Sequence, residues 1–191
     1  MSTALIVIDV QEEYFSGRLP IEFPPRESSL DLIAAAMDRA AAASVPVVLV
    51  RHTGAPGERS FQQDSPTWAL RAEVADRHHD LVIDKRLPGS FTGTNLEEWL
   101  GERAIDHITV VGYMTNVCCD TTARQAIHLG LGATMLHDAV GVPVMPDVDG
   151  NPVAAEVLQR AALAPLALMG VEVASTAHWM QTLAPGSHGN A

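Results

Sequence analysis

Residues 107–130 read HITVVGYMTNVCCDTTARQAIHLG, and this stretch contains the pattern that decides the fold. The run His107–Gly112 predicts a buried strand, because its apolar residues are almost continuous rather than alternating. Polar residues then form a turn that can cap a helix over Val117–Leu129, which Gly130 ends. A strand that passes through a short turn directly into a helix is the unit from which α/β folds with a parallel sheet are built.

The same succession of apolar runs and amphipathic stretches continues in both directions along the chain. We expect five more strands, over Ala4–Asp9, Pro46–Arg51, Leu81–Asp84, Ala133–Leu136 and Val171–Ala174. Further helices are expected over Ser29–Ser44, Asn95–Glu102, Val153–Met169 and Thr176–Leu183. Pro165 should end or kink the third of these near Ala164.

This order predicts a three-layer α/β/α fold with a six-stranded, mainly parallel, Rossmann-like sheet. No linker or internal repeat interrupts it, so residues 1–184 are expected to form a single domain. Residues 185–191 contain Pro and Gly and are expected to be a flexible tail.

Composition and charge exclude several classes of protein. The chain has 191 residues, 23 of them acidic and 12 basic, which gives a net charge of −11 and argues against a nucleic-acid partner. The apolar runs are too short to span a membrane, and the first stops at Asp9, which is not typical of a signal peptide. Cys118 and Cys119 are adjacent and too close for a disulfide, so we expect a reducing compartment, the cytoplasm.

Several polar side chains fall where the predicted strands end. They are Asp9, Arg51–His52, Lys85, Gly112–Cys118 and Asp138. In an open parallel sheet, ligands bind outside the carboxyl ends of the strands, so we expect these residues to face one crevice. The irregular segment Thr53–Arg77, with one short helical piece near Trp68, is then a lid or binding loop.

Cys118 is the candidate nucleophile of this crevice. It falls in the first turn of a predicted helix, where the positive end of the helix dipole lowers the pKa of a thiol. Cys119 is turned by about 100° around the helix and is interpreted as packing. Asp9 is a candidate base for the thiol proton, with the cation of Lys85, the one lysine of the sequence, beside it. Spacing alone equally allows Asp9 to cap a loop and Lys85 to be solvated.

No cofactor motif accompanies these residues. None of the eight histidines has the spacing of a zinc site, and we interpret His52 and His137, which follow strand ends, as structural. The segment Gly130–Gly132 precedes a strand instead of following one, so it is not a dinucleotide fingerprint. The sequence therefore predicts neither a metal nor a cofactor.

Three separated blocks of the sequence follow one another in a specific order. They are Ile8-Asp9-Val10-Gln11, then Lys85 before Ser90-Phe91-x-Gly93-Thr94-x-Leu96, then Gly112–Cys118 before Thr121-Thr122-Ala123-Arg124-x-Ala126. In order and spacing they resemble the isochorismatase-like cysteine hydrolases, which include nicotinamidases, N-carbamoylsarcosine amidases and ureidoacrylate-type amidohydrolases. The resemblance covers most of the chain, from Ala4 to about Thr176.

This resemblance implies an Asp–Lys–Cys triad, carried here by Asp9, Lys85 and Cys118. It implies a cis peptide bond between Tyr113 and Met114, and an oxyanion hole formed by the backbone N–H groups of Met114 and Cys118. It also implies a homo-oligomer, a dimer or a tetramer.

The residues and the resemblance together predict a cysteine-dependent hydrolase of a small amide or carbamoyl carbon–nitrogen bond that works through a thioester. Nicotinamidases carry an Asp-x-His metal motif where this chain reads Val50-Arg51-His52-Thr53, so we expect metal independence and a substrate other than nicotinamide. The substrate-binding residues are expected to be Gln11, Phe15, Trp68, Phe91 and Tyr113. Two alternatives stay open: a vinyl-ether hydrolase of the isochorismatase type, which does not need Cys118, and a non-catalytic thiol or redox-binding module.

Overall fold

A six-stranded parallel sheet forms the centre of the protein, whose computed structural model describes residues 2–183. Its strands are β1 (Thr3–Ile8), β2 (Val47–His52), β3 (Leu81–Lys85), β4 (His107–Tyr113), β5 (Gly132–Gly141) and β6 (Glu172–Ala174). Their spatial order is β3-β2-β1-β4-β5-β6, and every neighbouring pair is parallel. The predicted fold class is confirmed. The predicted tail over 185–191 lies outside the described residues.

Helices cover both faces of the sheet. They are α1 (Arg26–Ala42), α2 (Ala72–Ala75), α3 (Leu96–Glu102), α4 (Asp120–His128), α5 (Ala155–Leu168) and α6 (Thr176–Thr182). Side chains alternate along each strand, so Ile6 and Ile8 of β1 belong to the core beneath α3 and α4, whereas Leu5 and Val7 belong to the core beneath α1. Continuous aliphatic strands are therefore explained by burial on both faces.

The proline in α5 does not end the helix: α5 continues to Leu168, so a helix end near Ala164, one of the two predicted effects of Pro165, is wrong. Pro165 lies within α5 and is exposed, as is Ala161, whose carbonyl loses its helical N–H partner. That carbonyl therefore lies on the side of the helix that water can reach. Leu166 is fully buried and anchors the last turn, and Gly170 ends the helix with φ +92°.

Strand β5 extends five residues beyond the predicted end at Leu136, because its pairing with β4 resumes after an irregularity. The added part of β5 contains Asp138, which the sequence analysis placed in the crevice. Its carboxylate instead accepts hydrogen bonds from Thr176 N (2.8 Å) and Thr176 Oγ1 (2.7 Å) at the start of α6. The unpaired N–H groups of a helix N-terminus attract a carboxylate, so the prediction that Asp138 faces the crevice is wrong.

Some pieces of structure were not predicted, among them α2 and a small ribbon. Within the irregular segment, a 3₁₀ turn at Pro66–Trp68 matches the expected helical piece, but the single turn of α2 follows it. A small antiparallel ribbon also joins Met145–Pro146 to Pro152–Val153. Its strands are two residues long and contain proline, so they have no alternating pattern from which they could be predicted.

No helix within residues 2–183 combines the length and apolar character that crossing a bilayer requires.

Candidate active site

Asp9, Lys85 and Cys118 meet at the carboxyl edge of the sheet. Asp9 follows β1, Lys85 is the last residue of β3, and Cys118 lies in a π-helical turn, Thr115–Cys119, between β4 and α4. Lys85 Nζ is 2.7 Å from Asp9 Oδ2 and 3.3 Å from Cys118 Sγ. Asp9 is 0% exposed, Lys85 1% and Cys118 6%, so the three groups form a nearly dry cluster at the base of the site. Lys85 is not the solvated side chain that spacing alone allowed.

The backbone at Asp9 turns sharply out of the sheet. Its φ is +51°, a left-handed conformation that Asp tolerates better than most residues, and its N–H donates to Val50 O at 2.8 Å. Neither carboxylate oxygen receives a hydrogen bond of normal geometry from the described residues, although both are buried. The short contact with Lys85 is therefore an ion pair, and the carboxylate keeps acceptor capacity for an incoming proton.

Burial decides the protonation of the thiol. The pKa of Cys118 is raised to about 12: burial is the largest cause, the negative charge of Asp9 acts in the same direction, and the cation of Lys85 opposes both. The expectation that the start of a helix lowers this pKa is therefore wrong, because removal from water outweighs the helix dipole. Burial by itself would lower the pKa of Lys85, but the charges of Asp9 and Cys118 and the contacts that Lys85 makes with both together outweigh it, and the net pKa is raised. Lys85 is thus an ammonium.

The turn before Cys118 depends on Gly112. Its φ is +110°, and a Cβ at this position would lie 2.0 Å from the Ile8 carbonyl oxygen on the neighbouring strand. Only glycine permits this approach. The following peptide bond between Tyr113 and Met114 is cis. Met114 O accepts hydrogen bonds from the N–H groups of the turn, and the predicted oxyanion role of the Met114 and Cys118 N–H groups stays a prediction.

The second sequence block packs against the turn Thr115–Cys119 through contacts with Thr122. Its hydroxyl donates to Cys118 O at 2.8 Å and lies within hydrogen-bond distance of Ser90 N (3.1 Å) and Ser90 Oγ (2.9 Å). Phe91 follows and packs in the same buried cluster as Cys118. The hydroxyl residues of these blocks therefore fix the position of Cys118 relative to the loop after β3.

Two of the predicted substrate-binding residues have structural partners. Gln11 is fully buried, and its amide donates to His52 O (3.0 Å) and Trp68 O (2.7 Å) while accepting from His52 N (2.8 Å). Each of these bonds is to the backbone, so Gln11 ties the start of the irregular segment to Trp68 within it. Trp68 donates from Nε1 to Thr53 Oγ1 at 2.9 Å, and Arg51 stacks on its ring.

Two others lie beside the site rather than at the triad. Phe15 lines a surface cavity of about 350 Å³, under the guanidinium of Arg71, and no triad residue lines that cavity. Tyr113 is fully buried, and its hydroxyl is 2.8 Å from Ser29 Oγ on α1. Burial raises the pKa of Tyr113 further above its usual value. A pocket role for Phe15, Phe91 and Tyr113 stays a prediction.

Sequence analysis placed His52 at the crevice but interpreted it as structural, and it missed the aromatic side chains Phe61 and Tyr14 near it. His52 Nδ1 is 3.4 Å from Lys85 Nζ, and its ring meets Phe61 edge-on at 5.1 Å. Phe61 in turn contacts Tyr14 at 5.3 Å. Burial, followed by the charges of Cys118 and Asp9, raises the pKa of Tyr14 well above its usual value. The end of β2 beside the end of β3 was the available signal for His52.

The donor set does not fit the nicotinamidase-type metal motif. At the end of β2 the chain offers the nitrogen of His52, which is turned towards the ammonium of Lys85. Within the part of the chain that the structure describes, no three His, Cys, Asp or Glu side chains are grouped so that they could hold a metal ion.

Comparison with protein families shows to which family this fold belongs. The family model of the isochorismatase domain matches residues 3–178. The chain belongs to the isochorismatase family. As a member of this family of hydrolases it is an enzyme, which confirms that prediction.

Relatives of this isochorismatase-family chain include proteins with different stated activities. It is 36% identical over 147 residues to the secreted isochorismatase effector Isc1 of Verticillium dahliae, with 77% of this chain and 76% of that protein covered. It is 30% identical over 152 residues to nicotinamidase 3 of Arabidopsis thaliana, with 71% of each covered. A crystal structure from Burkholderia xenovorans LB400, described as that of an isochorismatase, superposes with a TM-score of 0.91 at 43% identity, covering 96% of this chain and 91% of the other. Cytoplasmic location and homo-oligomeric assembly stay predictions.

Proposed function

We propose that this enzyme is a cysteine hydrolase that cleaves a small amide or carbamoyl carbon–nitrogen bond through a thioester, without a metal. The observation that carries the proposal is the position of Lys85 Nζ, 2.7 Å from Asp9 Oδ2 and 3.3 Å from Cys118 Sγ. A base and a nucleophile that are both in contact with one cation are what covalent acyl transfer requires.

The reaction begins when the Cys118 thiol transfers its proton to Asp9 and the sulfur attacks the substrate carbonyl. The backbone N–H groups of Met114 and Cys118 are proposed to hold the oxyanion that forms. Asp9 then returns the proton to the leaving nitrogen, and ammonia or an amine departs. Water attacks the thioester and gives a proton to Asp9, which passes it back to the sulfur as the acid product leaves.

The high pKa of the thiol explains why the base must be in contact with it. A thiol with a pKa of about 12 is almost fully protonated at neutral pH, so solvent does not supply the thiolate. Transfer to Asp9 as the substrate arrives avoids a free thiolate, and Lys85 stabilises whichever partner carries the negative charge. The proposed role of Lys85 is therefore electrostatic throughout the cycle.

Amide-type bonds are favoured by the stated activity of one relative. Nicotinamidase 3 is named for hydrolysis of an amide, and it shares 30% of its aligned residues with this chain. The absence of the Asp-x-His motif, where this chain has Arg51-His52-Thr53, argues for a different amide or carbamoyl compound.

The test is release of ammonia or amine from a panel of small amides, carbamoyl compounds and nicotinamide. We expect Cys118→Ala to abolish release and the matched control Cys119→Ala, one residue further along the same turn, to keep it. Mass spectrometry of the wild-type enzyme after rapid acid quenching should show an acyl adduct on Cys118. Turnover that survives in Cys118→Ala would refute the cysteine mechanism.

A second candidate activity is the cleavage of a vinyl ether, and the name of the Isc1 relative favours it. Protonation of such a substrate requires an acid but no thiol, so Asp9 would be needed and Cys118 would not. Isochorismate cleavage that Cys118→Ala retains and Asp9→Asn loses would establish this candidate instead.

A further inference from the structure

His52 is the third neighbour of the Lys85 ammonium. The two residues end adjacent parallel strands and are direct register partners, which brings His52 Nδ1 within 3.4 Å of Lys85 Nζ. An ammonium has three N–H donors, and three polar atoms surround Lys85 Nζ: Asp9 Oδ2, with which it forms the ion pair, and the two hydrogen-bonding atoms Cys118 Sγ and His52 Nδ1. The imidazole accepts at Nδ1 only when it is neutral and carries its proton on Nε2.

The position of His52 is fixed from two sides. Its backbone N–H and carbonyl are both bonded to the buried amide of Gln11. Its ring packs edge-on against Phe61, with an interplanar angle of 88°. Phe61 has φ +55°, an uncommon conformation for a bulky residue, and its carbonyl accepts from Gly54 N at 2.9 Å. A strained residue is retained where its surroundings need its side chain in one place.

Charges around the imidazole keep it neutral. Burial lowers the pKa of His52 below its usual value, and the positive charge of Lys85 lowers it further. Asp9 and Glu58 act in the opposite direction, and Arg86 adds a smaller lowering effect. The net direction favours the neutral ring at pH 7, the form that can accept a hydrogen bond from Lys85.

We propose that neutral His52 is a positioning residue for the reaction: it accepts a hydrogen bond from Lys85 and so holds the ammonium between Asp9 and Cys118. The inference rests on the proposed function, because the alignment of these three groups matters for proton transfer between them. When His52 gains a proton, Nδ1 becomes a donor and two cations face each other. Activity is therefore lost as the pH falls through the pKa of His52, below its ordinary value of about 6.5.

The test compares two substitutions that differ in the acceptor. His52→Asn places an amide oxygen near the position of Nδ1 and cannot titrate, whereas His52→Leu removes the acceptor and keeps apolar packing against Phe61. We expect Leu to lower kcat by about tenfold to a hundredfold with little change in KM, since small misplacements of reacting groups cost this much. Asn should restore much of kcat and remove the acid limb of the kcat/KM profile. His178→Asn, an exposed residue on α6, is the matched control and should leave the profile unchanged.

A readout independent of turnover separates this inference from the proposed function. Nitrogen NMR of histidine-labelled protein should show His52 as the Nε2–H tautomer, with a pKa that rises when Lys85→Met removes the neighbouring cation. An Nδ1–H tautomer, or an acid limb that persists in His52→Asn, would overturn the positioning role even if Cys118 proves to be the nucleophile. If Cys118→Ala stays active, the cysteine mechanism fails, while the tautomer still reports on the contact with Lys85.

Discussion

The buried thiol of Cys118 should react slowly with alkylating agents at mildly alkaline pH, even though it is the proposed nucleophile. With a pKa of about 12, only about 1 in 10⁴ thiols is ionised at pH 8. An ordinary cysteine with a pKa of about 8.5 is about one quarter ionised under the same conditions. The difference in thiolate population is therefore about two-thousandfold.

Greater intrinsic reactivity offsets part of that difference. Nucleophilicity rises with thiolate basicity, with a Brønsted coefficient of about 0.4–0.5, which recovers about 40-fold over the difference in pKa. Iodoacetamide should therefore modify Cys118 about 60-fold more slowly than a free cysteine at pH 8, before any steric protection is counted. We would measure the rate by intact mass spectrometry between pH 6.5 and 10 in a Cys119→Ala background, so that one thiol is followed.

The form of the pH profile is the decisive observation. We expect the rate to rise tenfold per pH unit up to pH 10 without a plateau. A plateau with a midpoint below pH 8 would refute the reasoning, because the helix terminus and Lys85 would then outweigh burial and Asp9. Asp9→Asn removes a charge that raises the thiol pKa, so it should speed alkylation while it abolishes turnover. A redox-binding module would show faster alkylation with no turnover to lose.

Three further predictions follow from the same region. Gly112→Ala should lower the free energy of unfolding in urea by at least about 3 kcal/mol, because the added Cβ would collide with backbone and the φ of Gly112 is left-handed. At the control position Gly101 in α3 an added Cβ meets nothing within 4 Å, so Gly101→Ala should be neutral or stabilising, and equal effects of the two substitutions would contradict this reasoning. Thr122→Val should cost about 1–3 kcal/mol in the same assay and lower kcat, and unchanged kcat would show that the contact with Ser90 is not needed. Because the pKa of Cys118 is higher in the folded than in the unfolded protein, the free energy of unfolding should fall as the pH rises above about 9. This fall should be smaller in Cys118→Ala, and identical slopes of unfolding free energy against pH in the two proteins would argue against the raised pKa.

Much of the architecture could be predicted because the parallel sheet is buried on both faces. Aliphatic runs such as Ala4–Ile8 identify strands directly, and their carboxyl ends identify the crevice. The contact between Lys85 and Asp9 could be predicted from that geometry together with the family resemblance. The local sequence pattern was sufficient to predict these strands because a single physical effect, burial of the sheet on both faces, determines it.

The remaining features depend on contacts that no local pattern encodes. The raised thiol pKa results from burial by the whole fold, which a helix position cannot reveal. Asp138 is polar and follows a predicted strand, yet its carboxylate accepts a hydrogen bond from the start of α6, which is distant in sequence. The partnership of His52 with Lys85 requires the register between β2 and β3, and a one-residue slip would turn His52 to the opposite face.

The bonds that Gln11 makes to His52 and Trp68 have a consequence for engineering. They close the chain between these two residues into a loop with a fixed base, anchored by a side chain from the segment after β1 that also carries Asp9. Loop length contributes only slowly to the entropy of closing such a ring. Segments of other lengths could therefore be exchanged beyond Phe61, with Gln11 retained as the anchor, to alter substrate preference while the proton-transfer groups stay in place.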